Sequence, residues 1–185
     1  MTIGQLFKPI LQKSKIIMLE LPEESYFEQN YSTIKELQKK GYSSVYVSFH
    51  RPFTNISKLF KQRGVDMKKI IFIDVATALT KENQEEHARC VHISKDVSID
   101  ELVRAIYTSL YKLKGKKLIF IDSLTTLTLY KPLSEILRFF EFLMRTVKNE
   151  KDVKLILNVP RDLAQKKFIQ DIALGVDKKI TVNYG

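Results

Sequence analysis

Lys117-Leu118-Ile119-Phe120-Ile121-Asp122-Ser123-Leu124-Thr125 runs apolar residues at consecutive positions and then stops abruptly at a carboxylate. A strand with one wet face alternates, whereas a strand apolar at every position is covered on both faces, as in a parallel sheet under helices. The same character recurs at Ile16 to Leu21, Ser44 to Phe49, Lys69 to Asp74, Val153 to Val159 and Lys179 to Val182. Between these runs, helical spacing predicts helices over 24–40, 54–64, 98–113, 132–148 and 161–173. Gly41, Gly64 and Gly115 follow three of them, where a left-handed C-cap is expected. Ser98-Ile99-Asp100-Glu101 reads as a capping box opening the third. The long connection from Val75 to Val97 carries the polar tract Lys81 to Glu86 and predicts a passage across one sheet edge. Strand, helix, strand at this spacing predicts an α/β fold, a mainly parallel sheet with helices on both faces.

Composition narrows the classes. The 185 residues, 44% of them apolar, suffice for one domain over 1–185 with a substantial core. Cys90 is the only cysteine, which excludes an internal disulfide and fits a reducing cytosol. No apolar run approaches the roughly 20 residues of a membrane span, and Lys8, Pro9 and Lys13 break any signal-peptide core. The expectation is a cytoplasmic protein without a membrane partner. Lys and Arg total 31 against 21 Asp and Glu, a net charge of +10 that points to anionic partners.

The strand ending in Asp122-Ser123-Leu124 resembles the Walker B strand of RecA-type ATPases, most of all the archaeal KaiC-like branch. Lys40-Gly41 with Val45 to Phe49 resembles that family's second strand, and Leu59 to Asp66 the helix and turn after it. Leu155 to Pro160 and Ala173 to Val182 resemble its last two strands. The resemblance covers nearly the whole chain and implies a RecA-like P-loop NTPase fold. It also implies a phosphate loop after the first strand. Such a loop uses glycines to turn backbone N–H groups onto phosphates, a Lys for the terminal phosphates and a Ser or Thr for magnesium. The corresponding stretch, Leu21-Pro22-Glu23-Glu24-Ser25-Tyr26-Phe27, has no glycine and no lysine. Glu23 and Glu24 take the helix N-terminus that would otherwise welcome an anion. The family's second strand leads to a glutamate that orients water; here it runs into His50-Arg51-Pro52.

The expectation is a degenerate site (Glu23, Glu24, Ser25, Tyr26, His50, Asp122 and Ser123) without catalysis, nucleotide cofactor or metal. Asp122 is then a structural remnant, since one carboxylate without the loop hydroxyl holds magnesium poorly. His87, Cys90 and His92 match no established zinc spacing, and a fourth ligand is not evident, so a metal there is not expected. Ser123 lacks a G-x-S-x-G elbow and a recognisable triad.

Two surface features suggest partners. Cations gather where helices end and strands begin, among them Lys112, Lys114, Lys116 and Lys117, the candidate polyanion-binding residues. Helix-end complementation and solubility account for some of them. The helix from Pro132 to Lys148 carries Phe139 and Phe142 beyond its sheet-facing stripe, and these two residues form a candidate interface. The sequence therefore predicts a non-catalytic regulatory or protein-interaction module, with a protein partner or self-association but no nucleotide-dependent ring. The alternatives are a nucleic-acid-associated protein using its basic rim, and a residual ATP binder without efficient hydrolysis.

Overall fold

The computed structural model describes residues 3–80 and 86–182. Its strands are β1 (Ile16–Leu21), β2 (Tyr42–Ser48), β3 (Ile70–Asp74), β4 (Cys90–His92), β5 (Lys116–Asp122), β6 (Val153–Pro160) and β7 (Lys178–Thr181). They form one sheet in the order β4-β3-β2-β5-β6-β1-β7, and every neighbouring pair is parallel. The helices are α1 (Ile3–Lys13), α2 (Tyr26–Lys39), α3 (Phe53–Gln62), α4 (Val75–Thr80), α5 (Ile99–Lys112), α6 (Leu133–Asn149) and α7 (Lys167–Ala173).

The continuous apolar runs serve two cores at once. Ile17, Leu19, Tyr46, Phe72, Phe120 and Ile156 point to one face, where Leu11, Ile34 and Phe60 of α1 to α3 cover them. Their neighbours Met18, Val45, Ile119, Ile121 and Leu155 point to the other, under Ala78, Ile106, Phe140 and Ile169 of α4 to α7. Alternation along each strand is therefore apolar against apolar, the signature of burial on both faces.

The connection from Val75 to Val97 is more structured than its polarity predicts. It contains α4 and the edge strand β4, both too short for a periodic signal, while 81–85 of its polar tract lie outside the described residues. The segment predicted as one helix over 161–173 is a 3₁₀ turn at Arg161–Leu163 followed by α7. The helix α1, with Pro9 inside it, was not predicted. Gly41, Gly64 and Gly115 all take positive φ, between 72° and 86°, as their places after helices require. The capping box is half formed. Glu101 N–H donates to Ser98 Oγ, but the Glu101 carboxylate accepts from Ser94 N–H at 3.0 Å instead of reaching back to Ser98.

Candidate functional site

The C-terminal ends of β1, β2, β5 and β6 bring most of the sequence-predicted site together. After β1, Pro22 leads directly into a 3₁₀ turn at Glu23–Ser25, and α2 starts at Tyr26. Turn hydrogen bonds occupy the backbone: Ser25 N–H donates to Pro22 O at 3.3 Å and Tyr26 N–H to Glu23 O. Glu23 and Glu24 are exposed in this first turn, whereas Ser25 and Tyr26 are buried.

Asp122 closes β5 with no exposed surface. Tyr46 Oη donates to its Oδ2. The geometry follows from register: Tyr46 stands opposite Phe120 in the parallel pair, so its long ring reaches forward to the residue two positions on, the same face of the same strand. The Tyr46 ring stacks on Phe120 with centroids 5.1 Å apart. Burial pushes the Asp122 carboxyl up from its ordinary range, against the hydrogen bond from Tyr46, the neighbouring Tyr26 and the charge of His50. Burial and then the Asp122 charge raise both phenols, so Tyr26 and Tyr46 stay protonated. Tyr26 Oη lies near Asp122 and Ser123 without a hydrogen bond of ordinary geometry.

Asn30 and Asn158 extend this buried polar layer: Asn158 Nδ2 donates to Asn30 Oδ1, joining β6 to α2. Neither asparagine was singled out from the sequence, nor was Tyr46. Asn158 carried a legible signal, a polar residue in the middle of a continuously apolar strand; Tyr46 carried none, because a tyrosine suits a strand. Ser123 Oγ pairs with Thr125 Oγ1 at 3.0 Å and Thr126 Oγ1 at 3.1 Å, a local hydroxyl cluster and no triad.

His50 sits apart from this layer. It is exposed and stacks on Phe27 at 5.9 Å, while the Arg51 guanidinium lies 3.2 Å above the same ring. These residues line a cleft of about 520 Å³ with Glu23, Tyr26, Ser123 and Asp162. A second hollow of about 420 Å³ shares His50 and Ser123 and continues to Thr128 and Lys166. The cleft presents a cation and an imidazole beside two carboxylates, a mixed surface that favours neither anion nor cation.

The other two predicted groups lie elsewhere. Lys112, Lys114, Lys116 and Lys117 stand at the opposite end of the strands, between the end of α5 and the start of β5. Some cations of that rim already serve helix ends: Lys15 Nζ donates to Lys148 O at 3.0 Å and Glu150 O at 2.7 Å, and Lys154 Nζ to Ser14 O at 2.6 Å. The candidate interface divides. Phe139 is 2% exposed and packs edge-on against Phe140 at 4.9 Å, so it belongs to the core and not to a surface. The apolar arc of α6 is wide because α5 and α7 flank the helix in addition to the sheet beneath it. Phe142 is 46% exposed and meets the ring of Tyr107 on α5.

A family model described as the KaiC ATPase matches residues 25–183. No curated protein matches the chain. Among solved structures, the uncharacterized protein PH0321 from Pyrococcus horikoshii, in complex with an unknown peptide, superposes with a TM-score of 0.68 at 13% identity, over 94% of this chain and 79% of that one. The KaiC-like protein PH0186 from the same organism gives 0.57 at 15% identity, over 85% and 67%. The flagellar accessory protein FlaH from Methanocaldococcus jannaschii gives 0.57 at 14%, over 92% and 73%. At these identities the likeness concerns the fold.

Proposed function

We infer that this chain, which belongs to the KaiC ATPase family, is a non-catalytic member acting as a regulatory or protein-interaction module, with nucleotide hydrolysis lost. The observation that carries this reading is the enclosure of Asp122, a carboxylate with no exposed surface, bonded by Tyr46 and flanked by the buried phenol of Tyr26. Magnesium takes oxygen ligands in a near-octahedral shell and keeps several waters, for which a sealed carboxylate offers no approach. The residues present do not fit a magnesium nucleotide on the phosphate side either. In the turn after β1 the Ser25 and Tyr26 N–H groups donate to the carbonyls of Pro22 and Glu23, and two exposed carboxylates, Glu23 and Glu24, stand at its start. Calorimetric titration with ATP, ADP and GTP, with and without magnesium, should show no micromolar binding. Metal-dependent turnover that disappears in Asp122→Asn would overturn the reading.

The same reading assigns the partner contact to Phe142, with Tyr107 beside it and Tyr111, 78% exposed, one turn further along α5. The peptide held by the structural relative PH0321 is in keeping with a protein ligand on this fold. Phe142→Glu should leave the fold intact and shift sedimentation or partner capture.

One observation favours a second reading, a basic rim that binds nucleic acid. Lys112, Lys114 and Lys116 are exposed with Lys117 half-buried beside them, and among the described residues none of the four makes an ion pair. Such a cluster of uncommitted cations suits the phosphates of a polyanion.

A further inference from the structure

We propose that Asp74, Cys90 and His92 form a binding site for a zinc-class divalent cation at the sheet edge where β4 joins β3. Cys90 and His92 are two apart on a strand and therefore project from one face. In the parallel pairing, His92 stands opposite Asp74 and Cys90 opposite Phe72. One ligand atom from each of the three residues, a carboxylate oxygen, a thiol sulfur and an imidazole nitrogen, lies within 4.8 Å of the other two. Those are the donor types zinc uses, and three protein ligands leave one coordination position for water.

Asp74 supplies the independent argument. It is 2% exposed, and among the described residues it makes no ion pair. Buried carboxylates are ordinarily balanced by a cation or a metal. Its Oδ2 accepts from Phe53 N–H at 2.9 Å and Thr77 Oγ1 at 2.6 Å, and its Oδ1 from Thr77 N–H at 2.9 Å. A carboxylate offers about four lone-pair positions, so one remains for a metal. The three bonds also fix the carboxylate's orientation, as outer-shell partners do in metal sites. Metal binding forms the sulfur–metal bond and releases the thiol proton to solvent. Bound there, the cation ties β4, three residues long and at the edge of the sheet beside β3, onto the sheet.

The spacing of His87, Cys90 and His92 hid this site, because the third ligand comes from another strand. Titrating the full chain with Co²⁺ should produce a thiolate-to-cobalt charge-transfer band that saturates at a single equivalent and is displaced by Zn²⁺. Zinc should raise Tm with the same stoichiometry. Cys90→Ser should remove the band, and His92→Gln should weaken binding at least tenfold, the scale of a lost contact to the metal shell. Absence of the band in the unsubstituted protein would overturn the proposal whatever the variants do. Zinc binding unchanged in both variants would also overturn it, by locating the metal elsewhere.

Discussion

Asp122 shows how environment decides what a residue type can do. Its folded-state carboxyl is raised by burial. A raised folded value means that the stability linked to proton binding is fully present below the unfolded value of about 3.9 and is lost as pH rises through the folded one. At neutral pH the charge on Asp122 is therefore a cost to the fold. Asp122→Asn keeps an oxygen to accept from Tyr46 and removes that charge. It should melt at a higher temperature than the unsubstituted chain at neutral pH, and thermal melts at descending pH should show the gap closing toward the ordinary carboxylate range. A working magnesium site would instead lose nucleotide affinity with the same substitution. Tyr46→Phe tests the other partner. It preserves ring packing against Phe120 and Phe60 but deprives the buried carboxylate of its donor. The expected loss is about 1–3 kcal/mol in urea denaturation.

Helix α6 separates burial from exposure among neighbouring phenylalanines. Phe139→Ala should cost about 3–5 kcal/mol, the price of a large core side chain removed from close packing. Phe142→Glu should change stability by only about 0.5 kcal/mol, the ordinary range for surface positions. A urea titration of both variants distinguishes them. Sequence periodicity identified the sheet-facing stripe of α6 but could not divide the flanking positions, because α5 and α7 decide which is covered. The turn into β5 offers a cleaner backbone test. Gly115 has φ 73°, and a Cβ there would meet nothing within 4 Å. Gly115→Ala therefore carries only the left-handed penalty, about 1–2 kcal/mol, with no clash to confuse the measurement.

Across the molecule, the lysine cluster and the Asp122 layer lie at opposite ends of the strands of one parallel sheet. A polyanion bound to the basic rim would release counterions, so affinity for arbitrary DNA or RNA should fall steeply with salt. Replacing Lys112, Lys114, Lys116 and Lys117 together by Glu should weaken that binding across sequences and leave Tm nearly unchanged, since exposed charges contribute little individually. No retention on either nucleic acid at low salt would remove the second reading and leave helix-end complementation as the role of the rim. The parallel α/β architecture, the helix-ending glycines and the absence of glycine and lysine from Leu21 to Phe27 were all legible along the chain. Strands buried on both faces are apolar at most positions, and a phosphate loop carries glycine and lysine at set spacing, so both facts are local. The enclosure of Asp122 is not local: its cap, Tyr46, lies 76 positions away and arrives only through strand register. Phe139 becomes core, and Asp74 meets Cys90 and His92, for the same reason: each outcome depends on which elements pack side by side, which a linear pattern does not contain.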